Sequence, residues 1–163
     1  MNFHPSLNQL AVLQVPKVGG AIVEGINISL KNCKRAFIYC FVKKGADAAT
    51  VAWALAQSTG NAGAIAGTSE KAMTNVVPIW YSLDCTLSNL LTSTTAAKSY
   101  TQAATNTVLQ LCVFEILPEA CMDLAGGFNT VTINASDPAA ANIAFAFAIL
   151  DPAHGPMPTV YAD

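Results

Sequence analysis

Between Ile143 and Ile149 the chain alternates without a break. Ile143, Phe145, Phe147 and Ile149 occupy one phase, and Ala144, Ala146 and Ala148 the other. Successive side chains of a strand point to opposite faces, so the segment predicts a strand with one large-residue face and one alanine face. The large face is expected to pack on the core, leaving the alanines for whatever approaches closely. A helix would scatter the phenylalanines around its circumference. Residues 130–134 repeat the alternation, with Val131 and Ile133 expected inward. The runs 36–42 and 107–117 are apolar on both faces and rich in β-branched and aromatic residues, which suits central strands. Val51, Trp53 and Leu55 alternate with alanines, although Asp47 is also placed to cap a short helix there. Residues 76–83 predict a further strand in which Pro78 marks an edge or a bulge.

Turn residues separate these runs: Gly19-Gly20, Lys44-Gly45-Ala46-Asp47, Gly60-Asn61-Ala62-Gly63, Gly126-Gly127 and Ser136-Asp137-Pro138. Many short strands, regular turns and no long 3.6-residue period predict an all-β chain, a single-domain β-sandwich or barrel-like fold. The β-rich domain is expected over 19–150. Residues 87–107, rich in Ser, Thr and Ala, predict a long loop or irregular hairpin. Residues 1–18 contain Pro5 and Pro16, and residues 151–163 contain Pro152, Pro156 and Pro158. Proline fixes φ and removes a ladder donor, so both ends read as extended N- and C-terminal arms. Phe3, Leu7, Leu10, Val160 and Tyr161 are the apolar residues of those arms and the candidate partner contacts.

Composition sharpens the expectation of partners. Hydrophobic residues make up 53% of the chain and charged ones 11%, against about 25% charged in ordinary domains. A folded monomer of this size exposes roughly 7,700 Å², so eight basic and ten acidic residues leave large uncharged patches. Such patches usually mark surfaces covered in the working state, unless Ala, Ser, Thr, Asn and Gln cover them neutrally. A net charge of −2 offers no footprint for nucleic acid or anionic lipid. Lys31, Lys34, Arg35, Lys43 and Lys44 flank the run 36–42 and mark solvated strand ends. The longest apolar stretch, 139–150, is broken by Asn142 and falls short of the ~20 residues a membrane-spanning helix needs. No basic region leading into an apolar one opens the chain, so no secretory signal is expected. Five cysteines (Cys33, Cys40, Cys85, Cys112, Cys121) without a Cys-x-x-Cys pair predict free thiols formed in a reducing cytoplasm.

Catalytic signals are poor, and the chain is expected not to be an enzyme and to need no cofactor or metal. Its two histidines, His4 and His154, lie one in each arm, whereas a triad or metal site gathers its members on a rigid scaffold. Asp84-Cys85 has no histidine near it in sequence. Glu115, Glu119 and Asp123 would need to meet in a cleft to act as acid and base. Gly60, Gly63 and Gly67 do not fit G-x-G-x-x-G, and Thr68-Ser69-Glu70-Lys71 completes no phosphate-binding loop. Asn27-Ile28-Ser29 and Asn134-Ala135-Ser136 match the glycosylation tripeptide by chance.

The C-terminal half carries a resemblance. Leu111-Cys112-Val113-Phe114-Glu115-Ile116-Leu117-Pro118-Glu119 is followed by Met122-Asp123-Leu124, then Gly127-Phe128-Asn129-Thr130-Val131, then Ser136-Asp137-Pro138 and an Ala-rich strand. Ala54-Leu55-Ala56-Gln57, Gly60, Gly63 and Glu70-Lys71-Ala72 add a second patch. Together they resemble small capsid-accessory proteins of tailed bacteriophages, of the decoration or cement type. The resemblance spans roughly two-thirds of the chain and rests on turn and strand residues. It implies a virion structural role, a β-rich fold and no enzymatic activity. The first reading is therefore a cement or decoration protein on the capsid surface, with the major capsid protein as partner and self-association into a homo-oligomer; the charge and the short apolar runs lead us to expect no direct contact with nucleic acid or membrane. The alternative is a β-sandwich binding module of another virion part, a head–tail or tail component, or a carbohydrate-binding domain. Trp53, Trp80 and Tyr81 are the candidates for an aromatic sugar platform, although the strand-like setting of Trp53 and Trp80 points to core packing.

Overall fold

A computed structural model describes residues 8–19, 24–46, 49–104, 108–153 and 161. Eleven strands run through them: β1 Gln9–Val18, β2 Ile28–Ser29, β3 Cys33–Lys43, β4 Val51–Ser58, β5 Lys71–Ala72, β6 Val77–Ser82, β7 Thr92–Ala97, β8 Ser99–Gln102, β9 Leu109–Ile116, β10 Thr130–Ala135 and β11 Ile143–Pro152. One short helix, α1 Pro118–Cys121, and a 3-10 turn at Leu124–Gly126 follow β9. The strands form two antiparallel sheets. The larger runs β1-β11-β3-β9-β6-β7; the smaller runs β2-β10-β4-β5, with β8 also on β4. The fold is an all-β sandwich, as the alternation predicts.

The core lies between the sheets. From the larger sheet come Ala36, Ile38, Cys40 and Val42 of β3, Cys112, Phe114 and Ile116 of β9, and Ala144, Ala146, Ala148 and Leu150 of β11. From the smaller come Val51, Trp53 and Leu55 of β4 with Val131 and Ile133 of β10. This corrects the expected orientation of β11. Its alanines face the core, and Phe145, Phe147 and Ile149 stand half-exposed on the outside. Facing sheets sit about 10 Å apart and interiors pack to a fixed density. Small residues on the central strands therefore leave room for bulky ones such as Trp53, Phe114 and Ile133.

Three boundaries also differ. Residues 9–18 are not an arm: β1 pairs along β11 from Gln9↔Leu150 to Val18↔Ile143, and Ala11 and Leu13 are fully buried. Pro16 is accommodated because it falls where the register shifts between Gln14 and Lys17 on an edge strand. At the other end β11 continues to Pro152, again at a shift, between Asp151 and Pro152. Residues 1–7 lie outside the described residues, as do 154–160. The segment 87–107 holds β7 and β8, which pass from the larger sheet to the smaller one. Residues 51–58 form a strand and no helix, and Pro78 does sit at a bulge, between Val77 and Ile79.

Buried polar side chains lock the loops. Asn27 donates to the carbonyls of Ala64 and Ile65. Gln57 donates to the Ala72 carbonyl and to Thr74 Oγ1, and its Oε1 accepts from the Asp123 N–H. Both residues are fully buried, so these bonds replace water that would otherwise be lost at a cost.

Candidate interaction surface

The outer face of the larger sheet is aromatic. Cross-strand register sets Phe41 opposite Phe145, Tyr39 opposite Phe147 and Phe37 opposite Ile149. On the other side of β3, Phe41 meets Leu111 and Tyr39 meets Val113, and Trp80 of β6 lies beyond Val113. The rings lie nearly flat on one another. Phe41–Phe145 centroids are 4.8 Å apart with planes at 5°, and Tyr39–Phe147 centroids 5.1 Å apart at 14°. Leu10 and Val12 of β1 extend the same face, exposed. Burial among these neighbours pushes the Tyr39 hydroxyl above its usual pKa.

An antiparallel sheet with one solvated face normally turns polar residues outward. Here polar groups stand at the margins. Arg35 and Glu115 pair at 3.4 Å at one end, with the guanidinium 5.9 Å from the centre of the Phe37 ring. Lys43 closes the other end of β3. From strand spacing and rise the face spans on the order of 600 Å². That lies at the upper end of the largest patch on ordinary monomers and approaches the ~800 Å² each partner buries in a stable complex. Toward β7 the face dips into an apolar cleft of about 350 Å³ lined by Phe37, Tyr39, Trp80, Leu91 and Val113.

The candidates from sequence fall in several places. Leu10 lies on the aromatic face, 61% exposed. Tyr161 is bound to the outer edge of β1, its hydroxyl accepting from the Val12 N–H at 2.7 Å and facing the Val12 carbonyl at 3.1 Å. Phe3, Leu7 and Val160 lie outside the described residues, as do His4 and His154. Of the proposed sugar platform, Trp53 is buried with its indole N–H on Gln102 Oε1 at 2.8 Å, and Tyr81 packs inward against Tyr100. Trp80 alone faces out.

The carboxylates do not converge. Glu115 is held by Arg35 on the outer face, whereas Asp123 caps the 3-10 turn and pairs with Lys71 at 2.7 Å. Those bonds hold Asp123 below the usual carboxylate range. Asp84 is lowered likewise by the Thr86 hydroxyl and N–H. Among the described residues no group of three or more His, Cys, Asp or Glu is placed to hold a metal ion. No helix among them is long and apolar enough to cross a membrane.

No family model matches the chain, and no curated protein matches it in sequence. Among solved structures it is similar to the SPBc2 prophage-derived protein YomS, at 7% identity and a TM-score of 0.47, covering 88% of this chain and 92% of that one.

Proposed function

We propose that this protein is a non-enzymatic structural protein of a phage particle, which docks on the major capsid protein lattice and reinforces the head. The observation that carries the reading is the outward stack of Tyr39, Phe41, Phe145 and Phe147, with Phe37 beside it on β3. Burying such a face is worth roughly 25 cal/mol per Å² before the costs of association. The rings contribute to the sheet through their cross-strand pairs, but the area they leave in water gains only when a partner covers it. The low charge of the whole chain supports the same reading, and the resemblance of the 111–138 region to capsid-accessory proteins supplies the particle. Many symmetry-related copies on one shell add avidity, so modest single contacts hold firmly.

The cleft beside Trp80 is lined by Phe37, Tyr39, Trp80, Leu91 and Val113, whose side chains carry just two polar groups, a phenol and an indole N–H. Sugar sites need more precisely placed polar partners than that, which favours a protein partner. Co-sedimentation with heads of the source phage, at low and high ionic strength, tests the proposal. Binding should persist in high salt, since apolar burial is not screened, and heads carrying the protein should resist heating better. Absence from purified virions, or heads equally stable without it, would overturn the cement role. Binding confined to tails would move the protein to a head–tail or tail position.

A further inference from the structure

The loop between β6 and β7 presents leucines beside a hollow that can take them. Leu87 is 85% exposed and Leu90 78%. The loop that carries them is organised. Thr86 donates its N–H and hydroxyl to Asp84 Oδ1 at 2.9 and 2.6 Å, and the Cys85 N–H donates to the Leu109 carbonyl at 2.7 Å. Leu91, next in the chain, lines the apolar cleft with Trp80, Phe37, Tyr39 and Val113. Apolar knobs and an apolar hollow thus lie side by side on one surface.

The strand that follows is equally open. β7 reads Thr-Ser-Thr-Thr-Ala-Ala, forms the outer edge of its sheet, and carries neither charge nor proline. Its one irregularity is the bulge opposite Pro78, toward its C-terminal end. The opposite edge of the same sheet is guarded: β1 has Pro16, Lys17, two register shifts and the Tyr161 hydroxyl on Val12. Proline, lysine and bulges are the devices that block strand addition at an edge. They are concentrated at β1.

We propose that a second copy of this chain docks at the β6–β7 flank about a two-fold axis, each copy placing Leu87 and Leu90 in the cleft of the other. The inference rests on reading this sheet face as an assembly surface, and it names the occupant of one flank. An isologous interface requires a patch complementary to itself, and a knob next to a hollow meets that condition across a two-fold. A capsid subunit in the same cleft is the competing occupant.

The test is sedimentation of the isolated full chain over a range of concentrations. The wild type should dimerise. L87D/L90D and L91R should each weaken the dimer about 100-fold with unchanged melting temperature at dilutions where every chain is monomeric, because these side chains are exposed in the single chain. Mixing the two variants should restore a heterodimer. One intact knob then meets one intact cleft, and the aspartates of one copy meet the arginine of the other. A monomeric wild type, a dimer that survives L87D/L90D, or a mixture that stays monomeric each overturns the pairing. No particle is present in this measurement. A monomer that still decorates heads therefore overturns only the pairing, and a dimer that ignores heads overturns only the particle role.

Discussion

Phe145 lies flat against Phe41 across the β11–β3 ladder, with ring planes only 5° apart, and the pair faces away from the core. Each ring is half-exposed, so its apolar area is spent on its neighbour and on solvent. Cross-strand aromatic pairs of this kind contribute about 1 kcal/mol. Phe145→Ser removes both the pair and the area the ring buries on its neighbours, so it should cost roughly 2–4 kcal/mol in urea denaturation while reducing association with particles at least several-fold. Loss of folding with no separable loss of binding would show that the face is structural only.

The neighbouring position on the same strand should behave in the opposite way. Ala146 is 1% exposed and opposes Cys40, itself fully buried. A leucine there has to enlarge a closely packed layer, which typically costs about 1–3 kcal/mol. Ala146→Leu should thus destabilise the fold and leave particle binding by the folded fraction unchanged. A neutral or stabilising Ala146→Leu would contradict the assignment of the alanine face to the core.

Strand positions were legible because period two survives in either orientation of a strand; which face turns inward is a separate question. Hydrophobic bulk suggested that Phe145 and Phe147 point in. The deciding signal lay in the charges. Arg35, Phe37, Tyr39, Phe41 and Lys43 share one phase of β3, and Val113 shares a phase with Glu115. An aromatic in phase with lysine and arginine at both strand ends belongs on the outside, where those charges stay solvated. The β1 error had another cause. Proline density flagged residues 1–18 as non-sheet, yet an edge strand tolerates Pro16 at a register shift. No local signal in 87–107 marks β7 and β8, since Ser, Thr and Ala suit loops and exposed edges alike.

The buried thiols predict an alkaline limit to stability. Burial pushes Cys33 up to about 11, and pushes Cys121 up to about 11 as well. Cys40, facing Cys112 across the ladder, is also raised by burial. A thiol in the unfolded chain ionises near ~8.5. The folded state therefore holds the proton over a window in which the unfolded state has released it, and stability falls as pH rises through that window. The contribution is complete below about pH 8.5 and gone above about pH 11. Urea midpoints should be flat toward pH 8 and decline beyond it, and Cys33→Ala or Cys121→Ala should each make the decline shallower. A decline of the same slope in both variants would assign the alkaline limit to other groups.

Tyr161 predicts a local effect at the guarded edge. Its hydroxyl is within hydrogen-bond distance of both the N–H and the carbonyl of Val12, 149 residues away in sequence. An edge strand exposes just such a pair of backbone groups to any incoming strand, and the phenol occupies them. Tyr161→Phe keeps the ring and removes the hydroxyl. The site is exposed, so water replaces the lost bonds and the global cost should stay below about 1 kcal/mol. Hydrogen exchange at the Val12 amide should nonetheless accelerate by an order of magnitude or more, while amides bonded within the β1–β11 ladder keep their protection. Unchanged exchange at Val12 would mean that Tyr161 does not guard this edge in solution. The contrast between a closed β1 and an open β7 would then lose one of its supports.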